Sequence, residues 1–98
     1  LLSSQLHAAT DEQRKALENI GELNGVALRC SYIDKVRVIK LALVKYLPKQ
    51  RILGQGVEDA TNKSFMDFME TGKECPRIEL FSADVDAAIS QIEVEYIK

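Results

Sequence analysis

Cysteine is scarce in this chain: Cys30 and Cys75 stand 45 positions apart with no third. Small secreted scaffolds are dense in cysteine, so a disulfide framework is not expected, and the pair reads as two buried, reduced thiols of a cytoplasmic protein. Histidine is scarcer still. His7 is the single one, near a terminus, and neither C-x-x-C nor H-x-x-x-H occurs, so the ligand clusters that structural zinc needs are missing. No D-x-D-x-D-G calcium loop is present either. The lone histidine gives little scope for a Cys–His nucleophile with Cys30 or Cys75, and the many carboxylates sit in no apolar context that would raise a pKa. The expectation is a chain with no catalytic residues, no metal and no cofactor.

Long apolar runs are also lacking. The longest, Val36 to Leu47, is interrupted by Arg37, Lys40 and Lys45, well short of the roughly 20 apolar residues of a membrane span. Leu1 and Leu2 lead into Ser3, Ser4 and Gln5 without a basic stretch, so no secretory signal is read there. The first residue is Leu rather than Met, which suggests a domain excised from a larger protein. Asn62-Lys63-Ser64 has the form of a glycosylation sequon but falls inside a helical pattern, and chance accounts for it. Gly54-Gln55-Gly56 has two glycines of a dinucleotide-binding turn, but Asp59 replaces the third, and Glu58 and Asp59 would repel a phosphate.

What is present is a single-domain composition: 98 residues, 46% hydrophobic and 29% charged, enough for one core. The net charge of −2 hides a polarised layout. Arg29, Lys35, Arg37, Lys40, Lys45, Lys49 and Arg51 face only Asp34 across residues 29–51, a balance of +6, while residues 52–98 carry −6. Either the two segments pack together or the basic one awaits a polyanion.

Periodicity favours a mostly α, compact single domain of about four helices near 4–23, 31–47, 57–71 and 83–97. Leu2, Leu6, Ala9, Gln13, Ala16, Ile20 and Leu23 follow a 4–3 spacing. Thr10-Asp11-Glu12-Gln13 offers a capping box that would start this helix at Asp11, and Asn24-Gly25 reads as its stop. Ser31 reads as the next N-cap, with Val36, Ile39, Leu43, Tyr46 and Leu47 on one face. Val38, Leu41 and Val44 fall outside it and imply burial on a second side. Residues 48–56 read as a basic connector with a glycine joint. Gly72 suits the end of the third helix and Ser82 the start of the fourth, whose stripe is Val85, Ala88, Ile89, Ile92 and Tyr96. The alternative is an α+β domain, with strands near 26–33, 36–46, 77–81 and 92–97 covered by helices at 11–23 and 57–71. Phe65, Phe68 and Ile89 are the expected core.

The functional expectation is a non-enzymatic protein–protein interaction or regulatory domain of a larger protein or assembly. Its partner is another protein or the rest of its own parent chain. Met66 and Met69 are the candidate contact residues, because Met66 lies outside its helix's apolar arc. The 4–3 spacing also suits a homodimer through Leu6, Ile20 and Leu23. The alternative function is nucleic-acid binding by Arg29, Lys35, Arg37, Lys40, Lys45, Lys49 and Arg51. Against it, Lys40, Arg37 and Lys45 fall about 140°, 200° and 280° from Lys35 around a helix, which is not one stripe. Packing of the basic segment beside the acidic last third is therefore preferred.

Overall fold

The computed structural model describes residues 9–97, and Leu2, Leu6 and His7 lie outside them. Four helices follow one another: α1 Asp11–Arg29, α2 Ile33–Tyr46, α3 Arg51–Thr71 and α4 Ile78–Tyr96. Among the described residues there is no strand, so the mostly α reading holds and the α+β alternative falls.

The capping box fixes the start of α1. The Thr10 hydroxyl accepts from the Gln13 backbone N–H at 3.0 Å, and the Gln13 side chain accepts from the Thr10 N–H at 2.9 Å. Two otherwise orphaned donors are thereby satisfied. Gln13 also donates to the Glu95 carbonyl at 3.1 Å, and the Tyr96 hydroxyl donates to the Gln13 carbonyl at 3.2 Å. These bonds set α4 antiparallel to α1. Burial raises the Tyr96 phenol above its ordinary pKa, with the charge of Glu95 adding to the effect.

The expected stop at Asn24-Gly25 is not one. Helix α1 continues through it to Arg29 because Gly21 and Gly25 are there for close approach, not for a turn. A Cβ on Gly21 would lie 2.6 Å from the Ala60 Cβ, and one on Gly25 would lie 2.6 Å from the Thr61 carbonyl oxygen. Ser64 donates to the Glu22 carbonyl at 2.7 Å, and Asn24 reaches the Thr61 hydroxyl at 3.2 Å. Gly21 meets Ala60 and Gly25 meets Ser64, so α1 and α3 run parallel along a seam of small residues. Gly25→Ala is expected to cost about 1–3 kcal/mol by overpacking that seam. Gly54 lies inside α3 with open space beside it, so Gly54→Ala is expected to add about 0.5–1 kcal/mol. Chemical denaturation of both variants checks the opposite signs. The glycine joint expected at 48–56 is likewise corrected, since α3 already runs from Arg51.

Helix α1 presents two faces. One carries the glycine seam to α3. The other carries Ala16, Ile20 and Ala27 into a core with Ile39 of α2 and Phe81, Val85, Ala88 and Ile92 of α4. Helix α2 packs on both α1 and α4, whereas α3 lies closely on α1 alone. Phe65, Phe68 and Ile89 are only half-buried. The expected core is corrected there: Phe81, Ile20, Ile39, Ile92 and Val85 are the large side chains with almost no exposure. Phe65 and Phe68 sit on a helix with one neighbour, which cannot enclose them.

Two other starts differ from expectation. Ser31 does not cap α2. It adopts a left-handed φ of 60°, and Tyr32 is the N-cap. Helix α4 begins at Ile78, four residues before Ser82, with Pro76 and an extended Arg77 leading in. Ile78 and Phe81 then extend the stripe of Val85, Ala88 and Ile92 by one turn, which replaces the short strand read from Ile78, Glu79 and Leu80. Gly72, at φ 63°, ends α3 as expected.

Cys30 and Cys75 are not free thiols. They form a disulfide with a Cα–Cα distance of 5.7 Å, tying the end of α1 to the α3–α4 connection. The Tyr32 hydroxyl donates to the Pro76 carbonyl at 2.6 Å beside it, and the Tyr32 ring lies 5.5 Å from that of Phe81.

Candidate functional site

The 4–3 stripe of α1 turns inward. Ile20 is fully buried in the core and Leu23 is half-buried against it. The homodimer contact expected through Ile20 and Leu23 is therefore corrected: this face is occupied by α2 and α4 of the same chain. Leu6 lies outside the described residues.

The basic residues are outward-facing. Arg29, Arg37, Lys40, Lys45, Lys49 and Arg51 are exposed and Lys35 is half-buried. Arg37 pairs with Asp34 at 3.4 Å on its own helix, and the Lys45 ammonium sits 5.2 Å from the Tyr46 ring centroid. Although α2 packs on α4, the ion pairs among the described residues (Arg14–Asp11, Arg37–Asp34, Lys63–Asp67 and Arg77–Glu79) are all between sequence neighbours. None joins the basic segment to the acidic last third. Among the described residues, the charge complementarity legible in the sequence is not spent on ion pairs between the two segments.

The apolar residues of α2 that fall outside its core face are not buried on a second side, as the sequence suggested. Leu41 and Val44 are each 64% exposed, and Ile33 is 53% exposed. They share one side of the helix with exposed Arg37 and Asp34, and Lys40 and Lys45 lie along its two edges, about 140° apart.

Helix α4 carries a second stripe, of which the sequence pointed only to Val94 and Ile97, as lying outside the buried one. Leu80, Ala83, Ala87, Ser90, Val94 and Ile97 recur at 3–4–3–4–3 and are all exposed. Their flanking positions hold Asp84 on one side and Asp86 and Glu93 on the other, also exposed. The signal was the spacing itself. It was hidden because the buried stripe of the same helix had already explained most of its apolar residues.

Met66 and Met69 are both about half exposed, at 53% and 48%, and Phe65 next to Met66 in the chain is half-buried. Next to the glycine seam, an open groove of about 650 Å³ is lined by Glu18, Glu22, Asp59, Lys63, Asp67 and Phe68 among others. Lys63 bonds Asp67 at 2.7 Å, and that bond and charge hold its ammonium above the usual lysine pKa. Among the described residues no buried side-chain polar atom lacks a partner, and no cluster of His, Cys, Asp or Glu is arranged to hold a metal. No helix among them is long and apolar enough to cross a membrane.

Neither known family models, nor curated proteins, nor solved structures give a match to this chain.

Proposed function

We propose that this chain is a non-enzymatic protein-interaction domain, acting as a recognition or regulatory module of a larger protein or assembly. The observation that carries this reading is the large apolar side chains left exposed on α2, α3 and α4, Leu41, Val44, Met66, Leu80 and Val94 among them. Isolated exposed apolar residues are ordinary, but rows of them along helix faces with charged edges are the form that helical interfaces take. A disulfide-tied helical frame holds these rows rigid, which lowers the ordering cost of association. The disulfide also favours an oxidising compartment over the cytoplasm.

The alternative reading, nucleic-acid binding by the basic segment, is supported by the exposure of Arg29, Arg37, Lys40, Lys45, Lys49 and Arg51. It is weakened by Leu41 and Val44, each 64% exposed beside Arg37, Lys40 and Lys45, which a phosphate backbone does not cover. Affinity capture from native extract, with and without nuclease, tests the two. Capture of a protein that survives nuclease supports the interaction reading. Capture that nuclease abolishes moves the function to the basic segment.

A further inference from the structure

We propose that the acid-edged stripe of α4 docks against the base-edged strip of α2 in a second copy of this chain, an inference that rests on the interaction reading and names its partner. Both faces expose apolar side chains, Leu41 and Val44 each 64% exposed on α2 beside the Arg37–Asp34 pair, and Leu80 62% and Val94 63% exposed on α4. Both are charged along their edges with opposite sign: Lys40 and Lys45 border the α2 strip, while Asp84, Asp86 and Glu93 border the α4 stripe. No salt bridge among the described residues engages any of these five groups.

The heptad spacing on α4 is that of a seam which receives another helix, and residues at its flanking positions select the partner by charge. A second α4 is a poor partner, because acid would meet acid along most of the seam. The strip on α2 supplies what the seam lacks, basic groups beside apolar ones: Lys40 and Lys45 at its edges, with Leu41, Val44 and the Arg37–Asp34 pair between them. Helix α2 has 14 residues and α4 has 19, so the shorter one gives about 20 Å of shared length at 1.5 Å per residue. One such helix pair is a small contact. Because α2 and α4 are packed neighbours, a two-fold axis lets α2 meet the partner's α4 and α4 meet the partner's α2 together, which doubles the area in the isologous manner of most homodimers.

The test is sedimentation of the intact, oxidised chain across concentration and salt. Wild type is expected to form a reversible dimer by about 0.5 mM at low ionic strength, weaker in high salt, as fits a small interface with charged edges. The double reversal K40E/K45E is expected to weaken association at least about tenfold, and so is D84K/D86K, since each places like charge on like. All four positions are exposed, so far-ultraviolet circular dichroism of either variant is expected to match wild type. Mixing the two variants restores opposite charge at both contacts, and a one-to-one heterodimer is expected from two chains that are each monomeric alone.

A wild-type monomer at about 0.5 mM in low salt overturns the proposal, as does a dimer that neither reversal weakens or a mixture that stays monomeric. Loss of duplex DNA binding in K40E/K45E, with wild type monomeric, also overturns it and assigns the α2 face to nucleic acid. A monomer that still captures a nuclease-resistant protein removes the self-docking alone. A chain that neither self-associates nor captures a protein removes the interaction reading as well.

Discussion

Replacing Phe81 with alanine is expected to cost about 3–5 kcal/mol of folding free energy, the largest loss from any single aromatic truncation in the chain. Phe81 is 2% exposed and belongs to the cluster that joins α1, α2 and α4. Its ring lies 5.5 Å from that of Tyr32, tilted by 44°. Tyr32 in turn is held by its bond to the Pro76 carbonyl and by its place as the N-cap of α2. The walls of the resulting cavity are therefore pinned by a disulfide on one side and a helix start on the other, and they have little freedom to collapse. Phe68→Ala is the internal control. Phe68 is half-buried on α3, beside an open groove, so its loss is expected to cost about 1–2 kcal/mol, mostly transfer free energy without a sealed void. Urea unfolding of the two variants gives the ordering. A Phe81 variant no less stable than the Phe68 variant would sink the placement of the core.

The sequence carried the helix count and several boundaries because those are set locally. Thr10 and Gln13 announce the start of α1 through a reciprocal bond pattern, and Gly72 announces the end of α3 through a backbone conformation that glycine favours. The face of α2 formed by Val36, Ile39, Leu43 and Tyr46 was readable from spacing alone. What could not be read locally were features decided by another element. Gly25 carries the same chemistry as a helix stop and as a close-approach residue, and only the presence of α3 against it selects the second role. Ile78, Glu79 and Leu80 alternate like a strand, yet Ile78 and Phe81 also continue the helical stripe of α4, and burial of Phe81 decides between them. Phe65 and Phe68 look like core in any composition-based reading. They are left half-covered because α3 has one packed neighbour instead of two.

The candidate surfaces divide in the same way. Exposure of Met66 was legible, since it departs from the arc of its helix. The polarised charge was legible too, and α2 does pack on α4, but among the described residues no ion pair joins the two. Lys40 and Lys45 are exposed because Ile39 and Ala42 take the core face of α2. The acidic edges of α4 are turned outward by the same argument applied to Val85, Ala88 and Ile92. A helix whose two faces are both apolar can bury only one of them within a small domain, and on α4 the deeper stripe took the core.

Removing the Cys30–Cys75 bond is expected to cost about 4 kcal/mol, on a chain-entropy argument for a closed loop of this length. The two cysteines are separated by 45 residues, and the loop between them contains all of α2 and α3. Among the described helices α3 makes close backbone contact with α1 alone, so without the bond its C-terminal end is held mainly by the upper part of the glycine seam and by the Tyr32–Pro76 hydrogen bond just beyond it. Cys75 is exposed and Cys30 half-buried, so the bond is open to a soluble reductant, and the thiols left behind carry only a small burial penalty. For a domain of this size each kcal/mol corresponds to roughly 4–8 °C in Tm, so dithiothreitol, or the C30S/C75S variant, is expected to lower Tm by roughly 20 °C. The loss is not expected to be uniform. Amide exchange in the last two turns of α3 and across residues 72–77 rises first, while the core amides around Ile20, Val85 and Ile92 keep their protection until global unfolding. The measurement also bears on where the chain works: a domain that loses this much stability on reduction depends on an oxidising environment, where such a bond persists. A reduced chain with unchanged Tm would remove both the structural weight placed on the disulfide and the compartment inferred from it.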